Sequence, residues 1–308
     1  MRGNEKVEKI LNDVIQKGSK VITEEDAKSI LSIYGIKVPE YSIVTTESEA
    51  ISKSKEIGFP LVAKIVSDQI LHKTDVKGVK VGLENENAVR ETFLDMYNRL
   101  SKDYSVKGVL LEKMVPKGIE LIVGLQNDPQ FGPVIMLGLG GIYTELFKDV
   151  SFRVLPISKE DALEMINDLK AKEILKGFRG AQAINLEMLC DAIIKIGNLG
   201  FDMAKYIDSV DFNPIIVYPD NYYVVDAKIL LKTNPDQNIV SSSVPDSSHM
   251  DVFFNANSIA LIGASPEEGK VGNSVLKSLS KYDYKGKIYP VNAKGYDEIL
   301  GLKAYKNL

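Results

Sequence analysis

The stretch "VDFNPIIVYPDNYYVVDAKIL" (residues 210–230) is rich in β-branched and aromatic residues on both sides of "YPDN" (218–221), and it reads as two antiparallel strands joined by a turn. A four-residue turn pairs Val217 with Tyr222, so positions whose numbers add to 439 face one another. Asn213 then falls opposite Asp226, with Cβ atoms roughly 4.5–5.5 Å apart, and Asp211 falls opposite Lys228. Side chains on a strand repeat every two residues, so one face carries an amide, two carboxylates and a lysine. A hard divalent cation that keeps several waters needs one or two such oxygens together with substrate phosphates, as nucleotide-bound Mg²⁺ does. An exposed hairpin with an Asp–Lys surface pair accounts for the same spacing, and at this point both readings stand.

Outward from the hairpin, "IELIVGLQNDPQFGPVIMLGLGG" (119–141) places two apolar β runs around the turn "NDPQFG", and "IYTELF" and "VSFRVLP" continue as strands. Helices are predicted at about 158–170 and 185–199. Residues 118–231 thus read as an α+β lobe whose antiparallel sheet faces an earlier lobe across a cleft. That earlier lobe, 22–117, opens at "TEED" (23–26), with Thr23 as N-cap and Asp26 reaching back, on a helix that carries Ile30 and Leu31 and stops near Gly35. A helix over 47–57, the strand "LVAKIV" (61–66), the strand "VKVGL" (79–83), a helix over 86–100 and the strand "GVLLEKMV" (108–115) follow. Residues 1–21 form an amphipathic helix with Val7, Ile10, Leu11, Val14 and Ile15 at helical spacing.

After 231 the texture changes. Residues 232–250 are Ser/Asp/Asn/Pro-rich without periodicity and read as a linker. Residues 251–308 then run strand, glycine-containing loop, helix, strand, the opening of a Rossmann-like βαβ unit that is too short to complete a doubly wound sheet.

Composition narrows the function. A chain of 308 residues with 44% hydrophobic residues exceeds one ordinary core, so two or three domains are expected. A net charge of −4, with both signs interspersed, leaves no basic footprint for nucleic acid or anionic lipid. No apolar run approaches membrane-spanning length, and a single cysteine, Cys190, in an apolar-periodic segment points to a buried helix position in a cytoplasmic protein.

Several residues stand out chemically. Lys64 interrupts an apolar strand, either as an outward residue on an edge strand or as a point charge for phosphate oxygens. Glu112 lies in the apolar "LLEKM" and needs a donor if buried. "GLGG" (138–141) is either a tight connection or a phosphate-approaching loop. His72, one of two histidines, sits in "ILHKTDVKGV" (70–79) between a lysine, an acid and a glycine. In the last segment "GASPEEGKVG", with Gly263 and Ser265, follows a strand and opens a helix as phosphate-binding turns do. The second strand ends in "YPVNAKG", where Asn292 and Lys294 suit the extra phosphate of coenzyme A or NADP better than the ribose of NAD.

Taken in order, "YGIKVPEYSIV", "IGFPLVAKIVSDQILHKTDVKGVKVGL", "LLEKMV", "GIELIVGLQNDPQFGPVIMLGLGGIYTELFKDVSFRVLPI" and "DFNPIIVY…VVDAKI" resemble the ATP-grasp β part of ADP-forming acyl-CoA (acetyl-CoA) synthetases over 22–231. "SIALIGASPEEGKVGNSVLKSL" with "GKIYPVNAKGYDEILGLKAY" is similar to the start of the CoA-binding domain of the α part. The resemblance implies an α/β fold: a two-lobed ATP-grasp domain followed by an incomplete Rossmann-like CoA-binding domain. It implies the reaction acid + CoA + ATP to acyl-CoA, ADP and phosphate, through an acyl phosphate and a phosphohistidine. By motif, Lys64 would hold nucleotide phosphates, Glu112 and the hinge after it the adenine, and Asn213 and Asp226 the Mg²⁺. His72 would be the β-part histidine that receives the phosphoryl group, and Gly263, Ser265, Asn292 and Lys294 would serve CoA.

The family's principal phosphohistidine lies in the α part, beyond the point where this sequence stops, and His249, in the linker, does not replace it. The expected partners are therefore nucleotide (ATP or ADP), CoA, a small carboxylic acid and the remaining α part, in the same or a separate chain, within an oligomer. Another ATP-grasp carboxylate ligase would share Lys64, Asn213 and Asp226 but needs neither "HKTD" nor a CoA-type loop. A non-catalytic acyl-CoA-responsive regulator is disfavoured by the intact metal pair.

Overall fold

Apolar residues at helical spacing bring Val7, Leu11 and Val14 to one side of α1 (Arg2–Gln16), where all three are buried. The next helix, α2 (Glu24–Ile33), is capped by Thr23, whose hydroxyl oxygen accepts from the Asp26 N–H at 3.2 Å and donates to Asp26 Oδ2 at 2.8 Å. In this computed structural model the described residues are 2–70, 73–140, 149–177, 182–232, 250–282 and 284–307. They divide into two units, 1–240 and 241–308.

The first unit holds two sheets. The smaller has β1 (Tyr41–Val44), β2 (Leu61–Val66), β3 (Val79–Leu83) and β4 (Gly108–Lys113) in the order β1-β4-β2-β3. Its helices α3 (Glu47–Ile57) and α4 (Glu86–Leu100) begin and end where the sequence indicates, because Thr46 and Asn85 each accept the N–H three residues on. Leu61, Ala63, Ile65, Val109 and Leu111 join Phe93 and Met96 in one core, so the period of two turns Lys64 and Glu112 to the opposite face.

The larger sheet contains β5 (Ile119–Asp128), β6 (Gly132–Leu139), β7 (Val150–Val154), β8 (Ile207–Tyr218), β9 (Asn221–Val224) and β10 (Ala227–Leu231). Its order is β10-β8-β5-β6-β7, with β9 paired to β8. Helices α5 (Lys159–Asp168) and α6 (Leu186–Asp202), the latter burying Cys190, cover one face. The same core takes Val7, Leu11, Ala27, Ile30 and Leu31. The apolar side of helix α2 therefore belongs to the core of the larger sheet, although the sequence division at 117/118 groups it with the smaller one, and its polar side meets the smaller sheet. The cause is pairing at a distance: Ile22 N–H donates to Ile229 O at 3.0 Å and Leu231 N–H to Lys20 O at 2.8 Å, which ties the start of α2 to β10.

The hairpin register agrees with the sequence reading. Val217 pairs with Tyr222 and Asp211 with Lys228. Tyr218 also pairs with Asn221, so the turn is the two residues Pro219 and Asp220. Asn213 and Asp226 fall at the break between the pairs Phe212–Ala227 and Ile215–Val224.

In the second unit α7 (Met250–Phe254) precedes β11 (Ser258–Ile262), α8 (Val271–Lys281) and β12 (Lys287–Val291), and the two strands are parallel, Ser258 opposite Lys287. The short pair β13 (Glu298–Ile299) and β14 (Leu302–Lys303) completes a small core of Ala264, Leu276, Ile299 and Ala304. A Cβ on Gly272 would lie 2.0 Å from Gly263 O, so only glycine lets the helix start this close to the loop. Among the described residues no helix is long and apolar enough to cross a membrane.

Candidate functional site

Strand β2 lies between β4 and β3, so Lys64 is not on an edge and is 6% exposed. An ammonium taken from water needs its three donors satisfied. Lys64 Nζ donates to Glu24 Oε1 at 2.7 Å and to Val225 O at 2.9 Å, and lies 3.4 Å from Glu112 Oε1. Glu24 Oε2 accepts from Lys73 Nζ at 2.7 Å. Lys28, one turn along α2 from Glu24, donates to Glu112 Oε2, and its Nζ is 3.9 Å from Glu24 Oε1. Three lysines and two carboxylates thus form one network, buried except for the partly exposed Lys73, between a helix of the larger core and the open face of the smaller sheet.

The network sets its own charge states. Burial works to raise the Glu24 carboxyl, but Lys64, Lys73 and Lys28 outweigh it and bring the group from 4.5 to about 2. Burial likewise works against the Lys64 ammonium, yet Glu24, Glu112 and Asp226 hold it well above its ordinary value. Burial draws Lys28 below the ordinary lysine range in spite of Glu112.

The metal-type oxygens are on the face of the larger sheet away from its helices. Asp211, Asn213 and Asp226 are exposed there. Asp211 and Asn213 line a cavity of 540 Å³ that also includes Gly124, Gln126 and Met136. Burial, and then the negative charge of Asp226, raise the Asp211 carboxyl, while Lys228 lowers it. Asp211, opposite Lys228, feels the Asp226 charge as repulsion, and a cation between the two carboxylates would relieve it. Among the described residues no group of three or more His, Cys, Asp or Glu surrounds such a position. That donor set fits Mg²⁺ completed by water and phosphate and does not fit an all-protein cage. The Val225 carbonyl that Lys64 holds belongs to the residue before Asp226, so the buried cation lies beside that carboxylate.

The structure gives Glu112 a different neighbourhood from the one its motif suggests. Its carboxylate, 1% exposed, is bound by Lys28 and Lys64. His72 and His249 lie outside the described residues, as does Gly141 of the "GLGG" run. Gly140 donates its N–H to Glu120 O at 2.7 Å, and a Cβ there would meet Glu120 Cβ at 2.9 Å, so this glycine serves close packing.

In the second unit the four sequence-selected residues converge at the C-terminal ends of β11 and β12. Gly263, at φ +84°, has open space where a Cβ would stand. Ser265 Oγ accepts from Glu267 N–H at 3.1 Å, Asn292 Nδ2 donates to Ala264 O at 2.6 Å, and Asn292 Oδ1 accepts from Lys294 N–H at 2.8 Å. Lys294 Nζ stays at the surface, 3.6 Å from Glu267 Oε1. The parallel strands, the loop and the start of α8 fit a phosphate-bearing ligand such as CoA.

Sequence reading missed Glu24 and Lys28. Their signal was present as an i,i+4 acid–base pair, but on a helix that pattern ordinarily marks a solvated face.

Residues 13–231 match the ATP-grasp domain family and residues 257–308 a CoA binding domain family. The chain is 46% identical over 225 residues to the acetate–CoA ligase [ADP-forming] I subunit beta of Pyrococcus furiosus, covering 71% of this chain and 97% of that one. It is 37% identical over 288 residues to acetate–CoA ligase [ADP-forming] II of Archaeoglobus fulgidus; the match takes in 94% of this chain and 41% of that longer protein. In structure it is similar to a Candidatus Korarchaeum cryptofilum acetyl-coenzyme A synthetase solved with coenzyme A, Ca-AMPCP and HgCl⁺, with a TM-score of 0.70 and 44% identity over 73% of this chain and 99% of that one. On these matches and on the two-sheet site, the chain belongs to the ADP-forming acetate–CoA ligase family, with an ATP-grasp domain followed by a CoA binding domain.

Proposed function

We propose that the chain supplies the nucleotide half, and part of the CoA site, of a ligase that turns a small carboxylic acid, CoA and ATP into acyl-CoA, ADP and phosphate. The observation that carries this reading is the adjacency of a buried lysine, paired with two carboxylates, to Asp226: Lys64 is bonded to the carbonyl of the preceding residue. In the proposal Lys64 faces nucleotide phosphates, and Asn213 and Asp226, with Asp211 beside them, hold the metal. Mg²⁺ bound there would neutralise charge on the phosphate oxygens. Glu112 keeps Lys64 in place, and the hinge after it takes the adenine. His72 accepts the γ-phosphoryl group of ATP on an imidazole nitrogen as the bond to the ADP oxygen breaks, and passes it to the histidine of the α part as its own nitrogen–phosphorus bond breaks. Gly263, Ser265, Asn292 and Lys294 serve the phosphates of CoA. The remaining α part, in the same or a separate chain of an oligomer, completes the reaction; the match to a single longer chain and to a beta subunit is consistent with either arrangement.

The test is Asp226→Ala. It should weaken Mg²⁺-nucleotide binding by more than tenfold, above about 1.4 kcal/mol, and the difference from the parent should shrink without metal. Unchanged Mg²⁺-nucleotide affinity by calorimetry would refute the metal assignment. Acid- and CoA-dependent ADP formation with the α part supplied should fall in parallel.

A further inference from the structure

We propose that Glu24 is a positioning residue that occupies the phosphate place on Lys64 and yields it when a nucleotide binds. This inference rests on Lys64 facing nucleotide phosphates. Of the three N–H groups of the Lys64 ammonium, one goes to Glu24 Oε1 at 2.7 Å and one to Val225 O at 2.9 Å, and the Glu112 carboxylate stands 3.4 Å away as an ion pair. With two carboxylates already against the ammonium, a phosphate oxygen reaches it without like-charge repulsion only if one of them withdraws.

The three oxygens around Lys64 are not equivalent. Val225 O is main chain, in a segment whose N–H donates to Pro214 O at 3.1 Å. Glu112 lies on a central strand and its other oxygen is taken by Lys28. Glu24 has two further cations within reach, Lys73 at 2.7 Å on its second oxygen and Lys28 at 3.9 Å, where Glu112 has Lys28 alone. If Glu24 releases Lys64 it remains a paired, buried anion, so exchanging a carboxylate oxygen for a phosphate oxygen orphans no charge. Glu24 is also the first residue of α2, which is anchored in the larger core, whereas Lys64 belongs to the smaller sheet. Without nucleotide, the pair therefore holds Lys64 in position between the two lobes.

The proposal makes an uncommon prediction: removing the buried carboxylate should improve binding. Glu24→Gln keeps the shape and removes the charge that competes with phosphate. Titrated with Mg²⁺-ADP, this variant should bind at least about threefold tighter than the parent, the loss of a competing charge-assisted hydrogen bond. Lys64→Met, which leaves two lysines with two carboxylates, should bind more weakly, and adding Glu24→Gln to it should bring no gain. Equal or weaker binding by Glu24→Gln, or the same gain in the absence of Lys64, overturns the proposal alone. Parental binding by Lys64→Met would remove Lys64 from the phosphate site and the proposal with it. If Glu24→Gln does not fold, Glu24→Asp decides: it keeps the charge but withdraws the carboxylate by one methylene, so a gain of the same sign is required and its absence refutes the idea.

Discussion

Replacing Lys28 by Met probes whether the buried network holds the fold as well as the site. Lys28 and Glu112 are each 1% exposed, and the Lys28 ammonium is the donor on Glu112 Oε2. Methionine retains most of the apolar stem but leaves that oxygen without a donor; Lys64, 3.4 Å from Oε1, is then the one cation on this carboxylate. Breaking a buried pair from one side costs about 3–5 kcal/mol. The lower end applies here because Lys64 remains and burial already works against the Lys28 charge. For a unit of this size, with a urea slope of about 3 kcal/mol/M, a loss of about 3 kcal/mol moves the midpoint down by about 1 M. The assay is urea unfolding of the full chain followed by far-UV circular dichroism, read on the transition of the 1–240 unit. The pair Lys28→Met and Glu112→Gln removes the orphaned charge together with its cause, so it should recover more than half of the loss. A midpoint shift below about 0.3 M for Lys28→Met, or a double variant no more stable than the single one, would refute the reasoning that buried charge balance sets this cost.

Acid should act on the same network. Glu24 has its carboxyl lowered from 4.5 to about 2, so its contribution of about 3 kcal/mol is complete above pH 4.5 and is lost as pH falls toward 2. Unfolding midpoints measured down this range should fall more steeply for the parent than for Glu24→Gln, and parallel curves would refute the assignment. In the second unit, Gly272→Ala would put a methyl group 2.0 Å from Gly263 O, a backbone clash costing about 1–3 kcal/mol or more. Hydrogen exchange should rise across 258–291 and stay unchanged across 119–139; protection equal to the parent's would show that the loop and helix can part without cost.

What the amino-acid sequence determined by itself is local or periodic. Turn chemistry and alternation were enough to pair Val217 with Tyr222 and Asp211 with Lys228, because an antiparallel register propagates from one turn. The helices at 47–57 and 86–100 were legible for a like reason, since helical period and its interruption are local. Burial of Cys190 followed from helical period alone. The tertiary structure decided the rest. Whether Lys64 faced solvent or a buried site depended on β2 being a central strand, which its six residues do not encode without their neighbours. Helix α2 joined the larger core because its lead-in segment pairs with β10, some two hundred residues along the chain. The bond from Lys28 to Glu112 spans 84 positions, and only the packing of α2 against the open face of the smaller sheet makes it. A charge pair legible as a solvated helix face thereby became a buried network around the lysine, since exposure is a property of what else arrives at a surface and not of the residues that form it.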